Sequence, residues 1–105
     1  NIVIEIDENQ HKHLGRANED RRLCEIYNAL GRRALTVVRF NPDRFNGLKN
    51  GLFIRCKTSG VLKVADDNRY TEAIDKLIEV IQNAMVTPPS EDTLVEVRLR
   101  FDHYT

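Results

Sequence analysis

IVIEIDENQHKH, residues 2–13, carries an apolar strand pattern straight into a dense polar cluster. Period-two alternation puts Ile2, Ile4 and Ile6 on one face of a strand over residues 2–6, and Val3, Glu5 and then Asp7 on the other. At about 3.3 Å per residue, Glu5 and Asp7 fall roughly 6–7 Å apart along that strand. Residues 8–18 read as a polar loop. Asn18 is placed to cap a helix whose first turn holds Glu19 and Asp20, where the helix dipole favours carboxylates. Leu23, Ile26, Tyr27 and Leu30 recur at helical spacing, and Gly31 supplies the stop. ALTVVRF, residues 34–40, is a near-continuous apolar run, as a strand covered on both faces requires. Strand, helix and strand within about forty residues predict a right-handed βαβ unit with parallel strands.

Further along, NPDRFNGLKNG (residues 41–51) reads as loop, and LFIRC and VLKVA flank KTSG as a small hairpin. A second helix is expected over about 68–85, with Tyr70, Ile74, Leu77, Ile78, Ile81 and Met85 on one stripe, ended by Pro88 and Pro89. Asp66, Asp67 and Asn68 read as its cap. TLVEVRLRF (residues 93–101) alternates, with Val95, Val97, Leu99 and Phe101 expected inward and Glu96, Arg98 and Arg100 outward. The expected fold class is α/β: a mixed sheet with a βαβ core, a small hairpin, a second helix and a C-terminal strand. All of it fits one domain over residues 1–105, read as lacking its N-terminal part.

A chain of 105 residues with 41% hydrophobic and 30% charged content is sized and composed for a single globular core. No apolar run approaches the roughly 20 residues of a membrane helix, and no signal-peptide pattern is present, so no membrane partner is expected. A net charge of zero argues against a strongly basic nucleic-acid binder. The charge is unevenly spread, however: residues 1–57 hold eleven Lys/Arg against seven Asp/Glu, and residues 58–105 hold five against nine. A mildly basic half of this kind could face phosphates. Cys24 and Cys56 lack CxxC spacing and are expected as two buried free thiols, which suits a reducing, intracellular setting.

Open α/β sheets place ligands just beyond the carboxyl ends of their parallel strands, which is where Glu5, Asp7, Gln10, His11 and His13 gather. Paired hard oxygen ligands suit Mg²⁺, which binds through one or two carboxylates together with substrate phosphates. An ion held there could activate water, and His11 or His13 could move a proton near neutral pH. On spacing alone a plainer reading stands beside it, with Glu5 facing solvent and the histidines decorating a loop. A zinc site from His11, His13 and Cys24 lacks a fourth ligand at recognisable spacing. Arg21, Arg22, Arg32 and Arg33 could touch a nucleic-acid backbone, or form a solvated helix face and a basic helix C-terminus. Tyr27, Tyr70 and the phenylalanines fall at core spacing.

IVIEIDENQH, EDRRLCEIYNALG and LTVVRFN together resemble the compact PD-(D/E)xK nuclease-like domains related to very-short-patch-repair endonucleases, a type also found in large DNA viruses and restriction-like proteins. The likeness spans about residues 2–43; beyond that only the order of elements agrees. It implies a restriction-endonuclease-like fold and Mg²⁺- or Mn²⁺-dependent cleavage of DNA. Glu5 matches the metal-binding carboxylate of the (D/E)xK element, and Asp7 stands where many relatives have Lys. Gln10 and His11 match the Gln/His that follows, Arg22 the helix arginine, and Arg39 the arginine of the second core strand. The implied site is therefore Glu5, Asp7, Gln10 and His11, with Glu5 and Asp7 on the metal and His13, Arg21, Arg22 and Arg39 against DNA. Two departures stand out: Glu8 replaces the usual Gly, and the superfamily's first catalytic Asp belongs to a preceding strand that this sequence does not include. A larger parent chain or assembly is expected to supply it, in an intracellular setting: cytoplasmic, nuclear or virus-associated. The competing expectation is a non-catalytic module that keeps the nuclease-like sheet to bind nucleic acid or protein.

Overall fold

The computed structural model describes residues 1–11 and 15–102, without the side chains of Asn9, His11 and Arg16. β1 (Ile2–Ile6) pairs in parallel with β2 (Leu35–Phe40), Ile2 opposite Thr36 and Glu5 opposite Arg39. α1 (Arg16–Ala29) connects them. A hairpin of β3 (Phe53–Arg55) and β4 (Leu62–Val64) follows, then α2 (Asp67–Val86) and β5 (Leu94–Leu99). β5 pairs in parallel with the other side of β2, so the sheet order is β1-β2-β5. The α/β class is as expected. The hairpin makes a separate two-stranded antiparallel sheet and does not join the main one.

The apolar run of β2 now has its physical reason: the strand is central, and all six of its residues are buried. On one face Leu23 and Tyr27 of α1 pack on Leu35 and Val37, with Val3, Ile26 and Leu94 around them. That face also receives Glu5, Asp7 and Arg39 further along the strands. The other face carries Thr36, Val95 and Val97, which with Val80, Ala84 and Pro89 line a largely apolar cavity of about 340 Å³ beneath α2. α2 buries none of its residues completely, and Ile78 and Met85 of the expected stripe remain exposed. Both connections step the same way across the sheet, yet their helices cover opposite faces. One of the two crossovers is therefore left-handed, although right-handed ones greatly predominate.

Local expectations fare unevenly. Gly31 takes a φ of 78° behind α1, as a helix stop requires, and the Asp66 side chain caps α2 by accepting from the Arg69 backbone N–H at 3.1 Å. α1, however, begins at Arg16 behind Gly15, so Asn18 lies inside its first turn and does not cap it. Cys24 is exposed and Cys56 half-buried, against the expected pair of buried thiols. The buried stripe of α1 runs through Glu19, Leu23 and Tyr27, and one residue past Leu23 is a 100° turn away from it. Glu96 and Arg98 of β5, expected outward, are half-buried on the α1 face of the sheet. Among the described residues no helix is long and apolar enough to cross a membrane.

Candidate active site

Arg39 organises the carboxyl end of the sheet. An arginine near the end of a fully covered strand has no route to water, and its side chain is only 2% exposed. It must find carboxylates locally. β1 offers Glu5 directly opposite in register and Asp7 just past the strand end, both on the α1 face. α1 lowers Glu19 onto the same spot, and β5 brings Glu96 alongside. Arg39 Nε donates to Asp7 Oδ2 at 2.5 Å and its Nη2 to Glu19 Oε2 at 2.7 Å. Its Nη1 lies 3.5 Å from Glu96 Oε2, and Nε 4.0 Å from Glu5 Oε2. Burial works against the charge on Arg39, but the hydrogen bond to Asp7 and the charges of Asp7, Glu19 and Glu96 outweigh it and hold the guanidinium more firmly protonated than usual.

A second guanidinium covers the outer side of this cluster. Arg22 grips Glu5 with both terminal nitrogens, Nη1 on Oε1 and Nη2 on Oε2, the latter at 2.7 Å. Its Nη2 also reaches Glu19 Oε2 at 2.9 Å, so one carboxylate oxygen of Glu19 bridges both arginines. Arg22 is held protonated well beyond its ordinary range, chiefly by the hydrogen bond to Glu5 and then by that to Glu19. Exposure separates the two ion pairs. Asp7 and Arg39 are sealed, whereas the side chains of Glu5 and Arg22 are 12% and 40% exposed. Arg98 completes the set by donating from Nε to Glu96 Oε1 at 2.6 Å, with its guanidinium over the Phe101 ring.

The expected site residues thus divide. Glu5, Asp7, Arg22 and Arg39 come together. Gln10 is buried with a φ of 58°, and both ends of its amide are committed to Asp102: Nε2 donates to Oδ2 at 3.1 Å, and Oε1 accepts from the Asp102 backbone N–H at 2.9 Å. It latches the exit of β1 to the exit of β5. Arg21 is exposed on α1. The His11 backbone belongs to a short 3-10 helix, Glu8–His11, while its side chain and all of His13 lie outside the described residues. Glu19, Glu96 and Arg98 were not anticipated. Glu19 stands four residues before Leu23, on the buried stripe, and that spacing was the available signal.

No three described His, Cys, Asp or Glu residues are arranged to hold a metal ion among themselves. The donor chemistry nevertheless suits Mg²⁺ in its usual habit of one or two carboxylates completed by phosphate and water oxygens. Glu5 is the carboxylate that fits, being partly open to solvent and held by an arginine that is itself half exposed. Fold and cluster together define a parallel α/β domain with an acid–base cluster at the carboxyl end of its strands. No protein-family model, no curated protein and no solved structure matches the chain.

Proposed function

We propose that this chain is a restriction-endonuclease-like domain for Mg²⁺- or Mn²⁺-dependent hydrolysis of DNA phosphodiesters, with Glu5 as its metal-binding carboxylate. The observation that carries the reading is the projection of Glu5 and Asp7 from one face at the carboxyl end of β1, a parallel edge strand, the end at which open α/β sheets bind ligands. Bound there, the ion would polarise the scissile phosphate and sharpen a water nucleophile. Asp7 is fully buried against Arg39, so its part is to fix that arginine and the floor of the site. Arg39, at 2% exposed, positions carboxylates and does not reach DNA. Arg22 is the phosphate contact, with its guanidinium beside Glu5 and partly open to solvent. Arg21 adds backbone charge from the exposed side of α1. His11 is the candidate for proton transfer from its place in the sequence alone. An intracellular or virus-associated setting goes with this reading.

One observation favours a second reading. Each carboxylate of the cluster, Glu5, Asp7, Glu19 and Glu96, meets a guanidinium group, as a self-contained structural network would. On that reading the domain keeps the sheet as a non-catalytic module binding nucleic acid or protein. Cleavage of supercoiled plasmid in Mg²⁺ or Mn²⁺ by the full-length protein separates the two. The nuclease reading expects metal-dependent nicking that Glu5→Gln abolishes; cleavage undiminished in Glu5→Gln removes Glu5 from the chemistry, and no cleavage with either ion favours the binding module.

A further inference from the structure

The geometry points to Arg22 as a phosphate-operated latch on Glu5, which makes metal binding and DNA binding at this site mutually dependent. The inference rests on the reading of Glu5 as the metal ligand. Both oxygens of Glu5 are held by the two terminal nitrogens of Arg22. A divalent cation approaching Glu5 therefore meets a guanidinium already seated on it, and the like charges repel. Arg22 is not locked in place as Arg39 is: its side chain is 40% exposed, against 2% for Arg39. An incoming phosphate diester offers the same planar fork a second anion from the solvent side, and guanidinium recognises phosphate and carboxylate by the same bidentate geometry.

Transfer of Arg22 from Glu5 to phosphate releases the carboxylate to the metal as the substrate arrives. Glu19 makes that transfer a swing about a tether. Its Oε2 holds Arg22 at 2.9 Å and Arg39 at 2.7 Å, so the departing guanidinium keeps one carboxylate contact anchored to the buried network. Linkage then requires reciprocity: DNA tightens the metal by the same factor by which metal tightens DNA. A neutral backbone should not operate the latch.

The test is calorimetric and needs no turnover. Mn²⁺ is titrated into the full-length protein alone, with a hydrolysis-resistant phosphorothioate duplex, and with a methylphosphonate duplex of the same sequence. The wild type should bind Mn²⁺ about 5–150-fold more tightly beside the phosphorothioate duplex, the usual span of coupling between sites, and gain nothing from the uncharged one. Arg22→Gln should bind Mn²⁺ more tightly than wild type when alone and lose most of the coupling. Arg22→Lys reads the same change if the glutamine variant does not fold, since an ammonium cannot hold both oxygens of Glu5 as a fork. If Arg22→Gln and Arg22→Lys bind Mn²⁺ no better than wild type while Glu5→Gln abolishes binding, the latch is overturned and the metal reading stands. If Glu5→Gln binds Mn²⁺ like wild type, or the wild type binds none with or without DNA, the metal reading fails and the latch with it.

Discussion

Replacing Arg39 by methionine gives the sharpest test of how the cluster holds the fold. The side chain is 2% exposed and Asp7 is fully buried against it, so Arg39→Met leaves the carboxylates of Asp7 and Glu19 facing a gap where their shared cation stood. Breaking a buried pair from one side costs about 3–5 kcal/mol, because the surviving charge stays desolvated. Glu19 keeps Arg22 at 2.9 Å, which places the expected loss near the lower end, about 3 kcal/mol. For a domain of this size about 3 kcal/mol corresponds to a fall in Tm of at least about 12 °C. Arg22→Gln removes a guanidinium that is 40% exposed, and should cost only about 1 kcal/mol or less. The double variant Asp7→Leu/Arg39→Met removes both charges and should recover part of the loss, since an apolar replacement of a buried pair is often close to neutral. Urea unfolding followed by far-UV circular dichroism, with the midpoint and slope fitted separately, reads all three. The reasoning is refuted if Arg39→Met falls within about 1 kcal/mol of wild type, or proves milder than Arg22→Gln.

Two further expectations concern the loops. A Cβ at Gly51 would stand 2.6 Å from the Asp43 Cα and 2.7 Å from the Pro42 carbonyl oxygen, both backbone atoms of the turn leaving β2. Gly51→Ala should therefore cost about 1–3 kcal/mol in a thermal melt, and an unchanged Tm would refute that close approach. At the hairpin turn, hydrogen bonds from Ser59 and Thr58 lower the Cys56 thiol to about 6. Its alkylation by iodoacetamide should accordingly rise with pH around 6 and level off before neutrality, Ser59→Ala should move the midpoint up, and a midpoint above 8 in the wild type would contradict the assignment.

What the sequence made legible follows the strength of its periodic signals. Ile2, Ile4 and Ile6 against Val3, Glu5 and Asp7 is a clean period of two, and the two faces fall as that period requires. The near-continuous apolar run of β2 announced a strand covered on both sides, and its parallel pairing with β1 followed from the helix between them. The site was legible only in part. Glu5 and Asp7 were placed on the correct face, but nothing local says that Arg39 on β2, Glu19 on α1 and Glu96 on β5 converge on them. That convergence depends on register across three strands, which sequence spacing within one strand does not encode. Reading Glu96 and Arg98 as outward failed for a related reason: a buried cation beneath the sheet makes an inward carboxylate favourable, and the rule that polar residues face water has no term for that.

The cluster also separates what the fold demands from what remains for chemistry. Arg39, in the covered strand, can remain charged only with anions beside it, and that requirement claims Asp7 outright and one oxygen of Glu19. Glu96 is balanced by Arg98, which lies outside the buried core. Glu5 is left over: 4.0 Å from Arg39, partly open to solvent, and matched by a half-exposed arginine of α1. Exchanging the partner of a pair that solvent reaches takes less free energy than exchanging that of a sealed one, which takes several kcal/mol. A ligand arriving at this sheet end can therefore compete for Glu5 and Arg22 without unsettling Asp7 and Arg39. Among the described residues four carboxylates surround three guanidinium groups, and the Glu5–Arg22 pair is the one that a cation could enter without opening the core.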